Sequence, residues 1–401
     1  MSDANGVSDV SVSGISRRAA IVGLGATEFS KNSGRTELRL ALEATLAALA
    51  DAGIDPAEVD GFSSYSVDKV PEYEIARLLG ARNVSFFSQV PHGGGAACAP
   101  VLHAAMAVAT GIAKTVVVYR AMNERSWYRF GSGSYGFAST PIFENVNYGW
   151  YMPHGLHTPA AWVGMFARRY MHTFGATSED FGRISVAVRD FAATNPAAFF
   201  HGKPITLEEH QNSRWICEPL RLLDCCQESD GAVAMVITSA ERARDLKGRP
   251  VLIEAGAQGI SSGQQIMTSF YRDDITGLPE MGHVARQLWQ QSGLAPADIQ
   301  TAVIYDHFTP FVLPQLEEFG FVPKGQAKDF IRAGHHSRSG RLPLNPHGGQ
   351  LGEAYIHGMN GIAEAVRQVR GTAVNQVADV QHVLVTAGTG VPTSGLILGR
   401  A

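Results

Sequence analysis

Apolar and polar positions follow two rhythms along this chain, and their order predicts two similar α/β halves. Ala19 to Gly25 is a short apolar run broken by glycines, as in a buried strand and turn. Leu38 to Ala52 has the 3.6-residue apolar spacing of a helix, closed by Gly53. Phe62 to Ser66 predicts a strand. Ala96 to Thr110 predicts a small-residue helix buried on most of its surface and stopped by Gly111. The β-branched run Thr115 to Tyr119 predicts a central parallel strand, and strand, helix, strand implies a right-handed crossover.

The rhythm then changes. Residues 121–223 mix aromatic and Gly-rich segments (Trp127, Tyr128, Phe130, Tyr135, Phe137, Tyr148, Trp150, Tyr151) with helical patterns at Ala160 to Thr173 and Ser178 to Thr194, which predicts an insertion of the kind that covers a site or builds an interface. A turn and strand at Asp230 to Ile237 return to the core. The second half predicts strands at Val251 to Ala255, Ala302 to Tyr305, His382 to Thr386 and Gly395 to Leu398. Its helices are predicted at about His283 to Ser292, Phe311 to Phe319 and about Gly358 to Arg370. The expected division is a frayed tail at 1–18, a first half at 19–120 plus about 224–248, the insertion at 121–223, and a second half at 249–401.

Two echoes support the doubling. Gly53 to Asp60 recurs as Gly293 to Gln300, an offset of 293 − 53 = 240, each copy after a helix and before a strand. Pro91-His92-Gly93-Gly94-Gly95 pairs with Pro346-His347-Gly348-Gly349-Gln350, offset 346 − 91 = 255, each expected to open a helix that ends at Gly111 or Gly371. Two helix N-termini at glycine turns would concentrate positive potential in one cleft.

Composition narrows the function. With 45% hydrophobic and 17% charged residues the chain is core-rich, and a net charge of −4 without a basic stripe argues against a nucleic-acid partner. The longest apolar runs are far short of the roughly 20 residues of a membrane span. The tail lacks signal-peptide character, so cytoplasmic residence is expected. Cys98, Cys217, Cys225 and Cys226 lack metal-ligand spacing and read as buried thiols. Gly23-x-Gly25 lacks the third glycine of a dinucleotide fingerprint because Glu28 stands there.

Val303-Ile304-Tyr305-Asp306-His307-Phe308 and Asn345-Pro346-His347-Gly348-Gly349-Gln350-Leu351-Gly352-Glu353-Ala354-Tyr355-Ile356, set in two halves, resemble the thiolase superfamily, in its sterol-carrier/lipid-transfer branch. The resemblance covers about Ala19 to Arg400. It implies the thiolase fold, five layers αβαβα from two βαβαβαββ halves with a large loop insertion. The branch's nucleophilic cysteine, 17 residues before the glycine closing the buried helix, falls at 111 − 17 = 94, which is glycine. The branch's His-Asp-Cys-Phe reads Tyr305-Asp306-His307-Phe308, its Gly-His-Pro reads Ala354-Tyr355-Ile356, and Ala387-Gly388-Thr389-Gly390 has none of the C-terminal cysteine of many thiolases.

Without those thiols, acyl capture is lost, but stabilisation of a thioester enolate is not. The chemistry that survives is retro-aldol cleavage: a β-hydroxyl is deprotonated, the Cα–Cβ bond breaks, and the enolate is held and reprotonated. Phenols, at pKa ~10, suit proton exchange with an alcohol. Tyr305 and Tyr355 are therefore the expected proton-transfer pair, the alternative being two core tyrosines with satisfied hydroxyls. His307 would orient a tyrosine or the substrate. Gly94 and Gly95 would supply an oxyanion donor while leaving room for a bulky tertiary alcohol. Gly348 and Gly349 would present N–H groups or admit the thioester, Asn345 would position a water, and His347, like His92 and His357, would act in the site or brace its turn. His335, His336, Arg338 and Arg341 form a basic loop, expected either to meet CoA phosphates or to lie solvated.

The pattern resembles the steroid side-chain aldolases of the superfamily, which cleave a 17-hydroxy steroid carboxyl-CoA to a 17-ketosteroid and propionyl-CoA. That resemblance implies an acyl-CoA substrate, no cofactor or metal in this chain, a small zinc-ribbon/OB-fold (DUF35-type) partner that carries the zinc and lies against the insertion, and a homodimer within a heterotetramer. Rival expectations are an acyltransferase using Cys98 and a non-catalytic acyl-CoA-binding subunit.

Overall fold

The computed structural model describes residues 14–127, 129, 149–265, 267–389 and 393–401. Most of the expected tail, the aromatic residues Tyr128, Phe130, Tyr135, Phe137 and Tyr148, and Gly390 lie outside the described residues.

The first half contributes strands β1 (Ala19–Ala26), β2 (Gly61–Tyr65), β3 (Phe86–Val90) and β4 (Val116–Asn123). A short hairpin, β5 (Trp215–Cys217) and β6 (Leu220–Arg221), precedes β7 (Asp230–Ser239), which returns to the first-half sheet. The second half contributes β8 (Val251–Gly259), β9 (Thr301–Val303), β10 (His382–Thr386) and β11 (Thr393–Arg400). The spatial order is β3-β2-β4-β7-β1-β8-β11-β10-β9. The strands of the two halves join where β1 pairs antiparallel with β8, Ala20 with Leu252 and Ile21 with Val251.

Pairing is repeated across that junction. β4 and β1 flank β7 antiparallel, and β10 and β8 flank β11 antiparallel. β2 runs parallel to β4 as β9 does to β10. Even β3, parallel to β2, has a reduced counterpart in the parallel bridge between Ala302 and Leu344.

Three apolar cores separate five layers. Helix Glu37–Ala52 buries Leu40, Ala44, Ala48 and Leu49 against the outer face of the first sheet. Thr36 caps it through Arg39 N–H at 3.2 Å, and Gly53 ends it at φ 69°. The middle core surrounds two Ala-rich helices, Ala99–Ala109 and Met359–Arg370, packed between inward residues of both sheets such as Ile21, Val118, Met235, Val385 and Leu396. The third core joins the second sheet to helices Pro279–Ser292 and Val312–Glu318 and to the insertion helices Pro159–Phe174 and Ser178–Thr194. Small side chains let the central helices lie close to both sheets, and each fully buried Val or Ile there contributes about 1.5–3 kcal/mol.

Gly23 and Gly25 serve this packing: an added Cβ at either would strike the carbonyl of Ala48 or Ala44 in the first helix. The first echo is structural. Gly293 at φ 70° matches Gly53, and the short 3-10 turns Pro56–Glu58 and Pro296–Asp298 keep the offset of 240.

The second echo is not. The central helices end at Gly111 and Gly371, an offset of 371 − 111 = 260 rather than 255. The Gly348-Gly349 turn leads into a π-helical turn, Gly349–Glu353, and the second central helix starts only at Met359, behind Gly358 at φ 84°. The helix expected to open at Gly348-Gly349 opens at Gly358 instead, because the turn is consumed in bringing residues 349–353 against Asp306 and Ala192. No helix among the described residues is long and apolar enough to cross a membrane.

Candidate active site

Tyr305 follows β9 closely and Tyr355 follows the π-helical turn, and their hydroxyls share a hydrogen bond of 3.3 Å with the rings 71° apart. Tyr305 is 2% exposed, whereas Tyr355 is partly exposed, so the pair has an inner and an outer member. Burial drives both hydroxyls well above the ordinary range of a phenol; the shared hydrogen bond opposes this at Tyr305. Both are therefore neutral at physiological pH. The Tyr305 backbone is held on both sides, its N–H donating to Thr386 Oγ1 at 3.0 Å and its carbonyl accepting from Gln315 Nε2 at 2.8 Å. Thr386 Oγ1 in turn donates to Gln315 Oε1 at 2.5 Å, closing the brace.

The Tyr305 ring lies in a slot made by three glycines. A Cβ at Gly388 would come within 2.8 Å of the ring, one at Gly358 within 2.9 Å, and one at Gly94 would overlap the hydroxyl itself. The room expected beside Gly94 for a bulky alcohol is therefore occupied: the Tyr305 hydroxyl fills the place of a side chain at 94. Gly94 and Gly95 remain at the site, their carbonyls accepting from Gly388 N–H at 3.0 Å and Ser394 Oγ at 3.0 Å, which leaves only their N–H groups for an oxyanion.

Two imidazoles border the phenols. His307 lies 4.9 Å from the Tyr305 ring and stacks on Phe311 at 5.3 Å, with neither ring nitrogen bonded among the described residues. Burial lowers its pKa to about 3, so the ring is neutral. His357, in the left-handed region at φ 48°, meets Tyr355 edge-on at 5.2 Å and accepts from Arg120 Nε at 3.2 Å; Gly93 is bare where its ring passes. Arg120 is itself buried and paired with Asp68 at 3.0 Å, so it holds His357 rather than facing solvent.

Asn345, His347, Gly348 and Gly349 are committed elsewhere. Asn345 exchanges both side-chain bonds with the backbone of Ile304 at 2.9 Å, pinning the strand end instead of positioning a water. His347 is buried, its pKa lowered by burial to about 3, with Glu353 at 4.0 Å. Gly349 lets the turn close on the Asp306 carboxyl, which accepts from Gln350 N–H at 2.8 Å and is pushed up to about 7 by burial. Gly348 does the same against Ala192. His92 donates its backbone N–H to Ser66 Oγ at 2.9 Å. The basic loop braces the insertion: His336 is buried against the Arg183 carbonyl, Arg338 donates to Asn375 at 2.7 Å and Thr194 at 2.9 Å, and Arg341 lies over the Phe330 ring.

Cys98 is fully buried, its sulfur 3.7 Å from the Val385 carbonyl and its thiol pushed far above the ordinary range by burial. It has none of the exposure or acidity of a nucleophile.

Sequence reasoning missed Glu124, which is buried just beyond β4, and the segment Cys226–Ser229, whose backbone and side chains bond to His307, Gln350 and Tyr355. The available signal was polar residues abutting apolar strands, which does not reveal burial.

The Thiolase C-terminal domain-like family matches residues 261–400. Over 385 residues, 96% of this chain and all of the relative, the sequence is 66% identical to the 17-hydroxy-3-oxo-4-pregnene-20-carboxyl-CoA lyase of Mycobacterium tuberculosis. It is 64% identical to the steroid side-chain-cleaving aldolase of Thermomonospora curvata, covering 95% of this chain and 97% of that one. The solved Ltp2-ChsH2(DUF35) aldolase superposes with a TM-score of 0.92 at 63% identity, over 96% of this chain and 98% of that chain. Human mitochondrial 3-ketoacyl-CoA thiolase superposes at 0.66 with 15% identity, over 96% and 99%, a likeness of fold.

Proposed function

The chain belongs to the thiolase-like steroid side-chain-cleaving aldolases, and from that premise we propose that its two phenols form a neutral proton relay for retro-aldol cleavage of a steroid carboxyl-CoA. The chain is a carbon–carbon lyase. In a 17-hydroxy-3-oxo-4-pregnene-20-carboxyl-CoA, the named substrate of the Mycobacterium tuberculosis relative, the C17 hydroxyl is β to the thioester and the α carbon C20 bears a methyl. Breaking C17–C20 leaves a 17-ketosteroid and, after protonation of C20, propionyl-CoA, the side-chain removal step of steroid degradation.

The 3.3 Å hydroxyl–hydroxyl bond carries this reading. A phenol that must ionise first would be a poor base in a site where burial holds both phenols neutral. A relay avoids the phenolate. The substrate hydroxyl gives its proton to one tyrosine as that tyrosine passes its own to the other, and the second protonates C20. One O–H and one C–C bond break; one C=O and one C–H form, and both phenols end as they began. Neutral His307 and the Gly94 and Gly95 N–H groups are the donors for the thioester oxygen as enolate charge develops. The chain itself supplies no metal or cofactor step.

A DUF35-type partner completes the enzyme, as the solved Ltp2-ChsH2(DUF35) aldolase supports. Within this reading the partner carries the zinc and docks against the insertion, and the assembly is a heterotetramer built on a dimer of this chain.

The test is incubation of the chain, with and without its DUF35-type partner, with that steroid thioester, following ketone and propionyl-CoA release. Tyr305→Phe and Tyr355→Phe are each expected to lower kcat by about 10²–10⁴ with circular dichroism unchanged. Full activity in both variants would refute the relay.

A further inference from the structure

Glu124 directly follows β4, is 5% exposed, and its Oε2 has no hydrogen-bond partner among the described residues. The antiparallel register that pairs Asn123 with Asp230 sets Glu124 beside Ser229, whose backbone N–H favours the ionised carboxyl. Ser229 ends a four-residue strap that ties the site together. Cys226 N–H donates to the His307 carbonyl at 2.8 Å, Gln227 N–H to the Gln350 carbonyl at 3.2 Å, and Tyr355 N–H to Ser229 Oγ at 3.1 Å. Lys31 anchors the strap from outside, Nζ donating to the Glu228 carbonyl at 2.6 Å and to Gln227 Oε1 at 3.0 Å. Glu124 is thus joined through Ser229 to the backbone of the residue that bears the outer phenol, and both phenols sense its charge.

A carboxyl in this setting has two states with opposite consequences. Protonated, it adds no charge where enolate charge develops. Ionised, it places a like charge in a dry site, where Coulomb terms are large. Burial and Glu228 keep the proton on; Arg120, Lys31 and the Ser229 N–H oppose them, and Cys226, Tyr305 and Tyr355 also sense the charge of Glu124.

Resting on the aldolase reading above, we propose that Glu124 is a positioning residue of the phenol pair, acting through Ser229 on Tyr355, and that it must carry its proton for the relay to run. The consequence is an alkaline fall in kcat that belongs to this residue and not to the phenols.

The experiment is the pH profile of kcat at saturating steroid thioester, for the chain in complex with its partner. Glu124→Gln, permanently neutral and of the same shape, should keep kcat within about threefold of wild type on the acid side and lose the alkaline fall. Glu124→Ala should lower kcat at least about tenfold with KM little changed. Lys31→Met should retain the fall, which separates the nearby amine. A wild-type profile without an alkaline fall, a Gln variant with the fall unaltered, or its disappearance in Lys31→Met overturns the proposal. Should Glu124→Gln unfold, judged by circular dichroism, Ser229→Ala replaces it and must lower kcat without moving KM. An inactive wild-type complex would instead count against the aldolase reading.

Discussion

In the first half the central helix is approached through Gly93, Gly94 and Gly95; in the second, 260 residues on and equally far before the helix, stand Glu353, Ala354 and Tyr355. Each half keeps the skeleton, with matching strand partners and matching glycine caps, because burial of the two central helices between the two sheets demands it. The side chains are free to differ, and they differ as complements. The first half is bare at Gly94, where the second half's Tyr305 hydroxyl lies. A duplicated fold can therefore place its chemistry in one half while the strands and central helices of both stay alike, provided bulk on one side meets space on the other.

The sharpest way to break this complementarity is to restore a side chain to the first half. Gly94→Cys places its Cβ on the Tyr305 hydroxyl. It is expected to lower activity by about 100-fold or more and stability by about 1–3 kcal/mol, the range for overpacking. Combining it with Tyr305→Leu should recover stability but not activity, so a double-mutant cycle on denaturation midpoints should show a large favourable coupling. Additive effects would mean that the two residues do not compete for one space.

A second test uses the buried charges of the second half. Asp306, held near 7 when folded against an ordinary carboxyl value near ~4, keeps its proton where the unfolded chain has lost it. Its contribution to stability is present at low pH and is lost as pH rises from about 4 to about 7. His307 and His347, lowered to about 3, act with the opposite sign: their contribution is present above about 6.5 and is lost as pH falls toward 3. The stability difference between wild type and Asp306→Asn should thus shift against wild type by up to about 1.4 kcal/mol per pH unit across the carboxyl window. Denaturant titrations that run parallel from pH 4 to 7 would contradict the burial of that proton.

The smallest effect belongs to Cys98. Cys98→Ala should leave kcat within about twofold and cost about 1 kcal/mol of stability, as for a small buried group. Loss of activity with an intact fold would return Cys98 to the chemistry and make the first half, not the second, its source.

Much of this was legible in the residues. Helices Glu37–Ala52 and Ser178–Thr194 and strand His382–Thr386 follow their apolar spacing and caps closely, because their burial pattern repeats within one or two turns. The tyrosines were legible because they stand where the superfamily places histidines. The role of Gly94 as a slot for Tyr305 was not, since the two are 211 positions apart (305 − 94) and only the packed fold brings them together. Nor was the false mate at offset 255: two Pro-His-Gly-Gly segments look alike locally, and only the length of the π-helical turn after the second separates them. Asn345 reads as a polar site residue and proves to be a backbone brace.

By itself, then, the sequence determined the doubling and the order of strands and helices, carried by local periodicity, while its resemblance to thiolase motifs made the layering and the exchange of thiol and imidazole for phenol legible. The tertiary structure decided which groups meet: the shared hydroxyl bond, the glycine slot, the neutral histidines, and the buried Glu124 with its strap. The physical reason is that hydrogen bonds and desolvation act over a few ångströms of space, and a chain of amino acids records distance along itself, not across the fold.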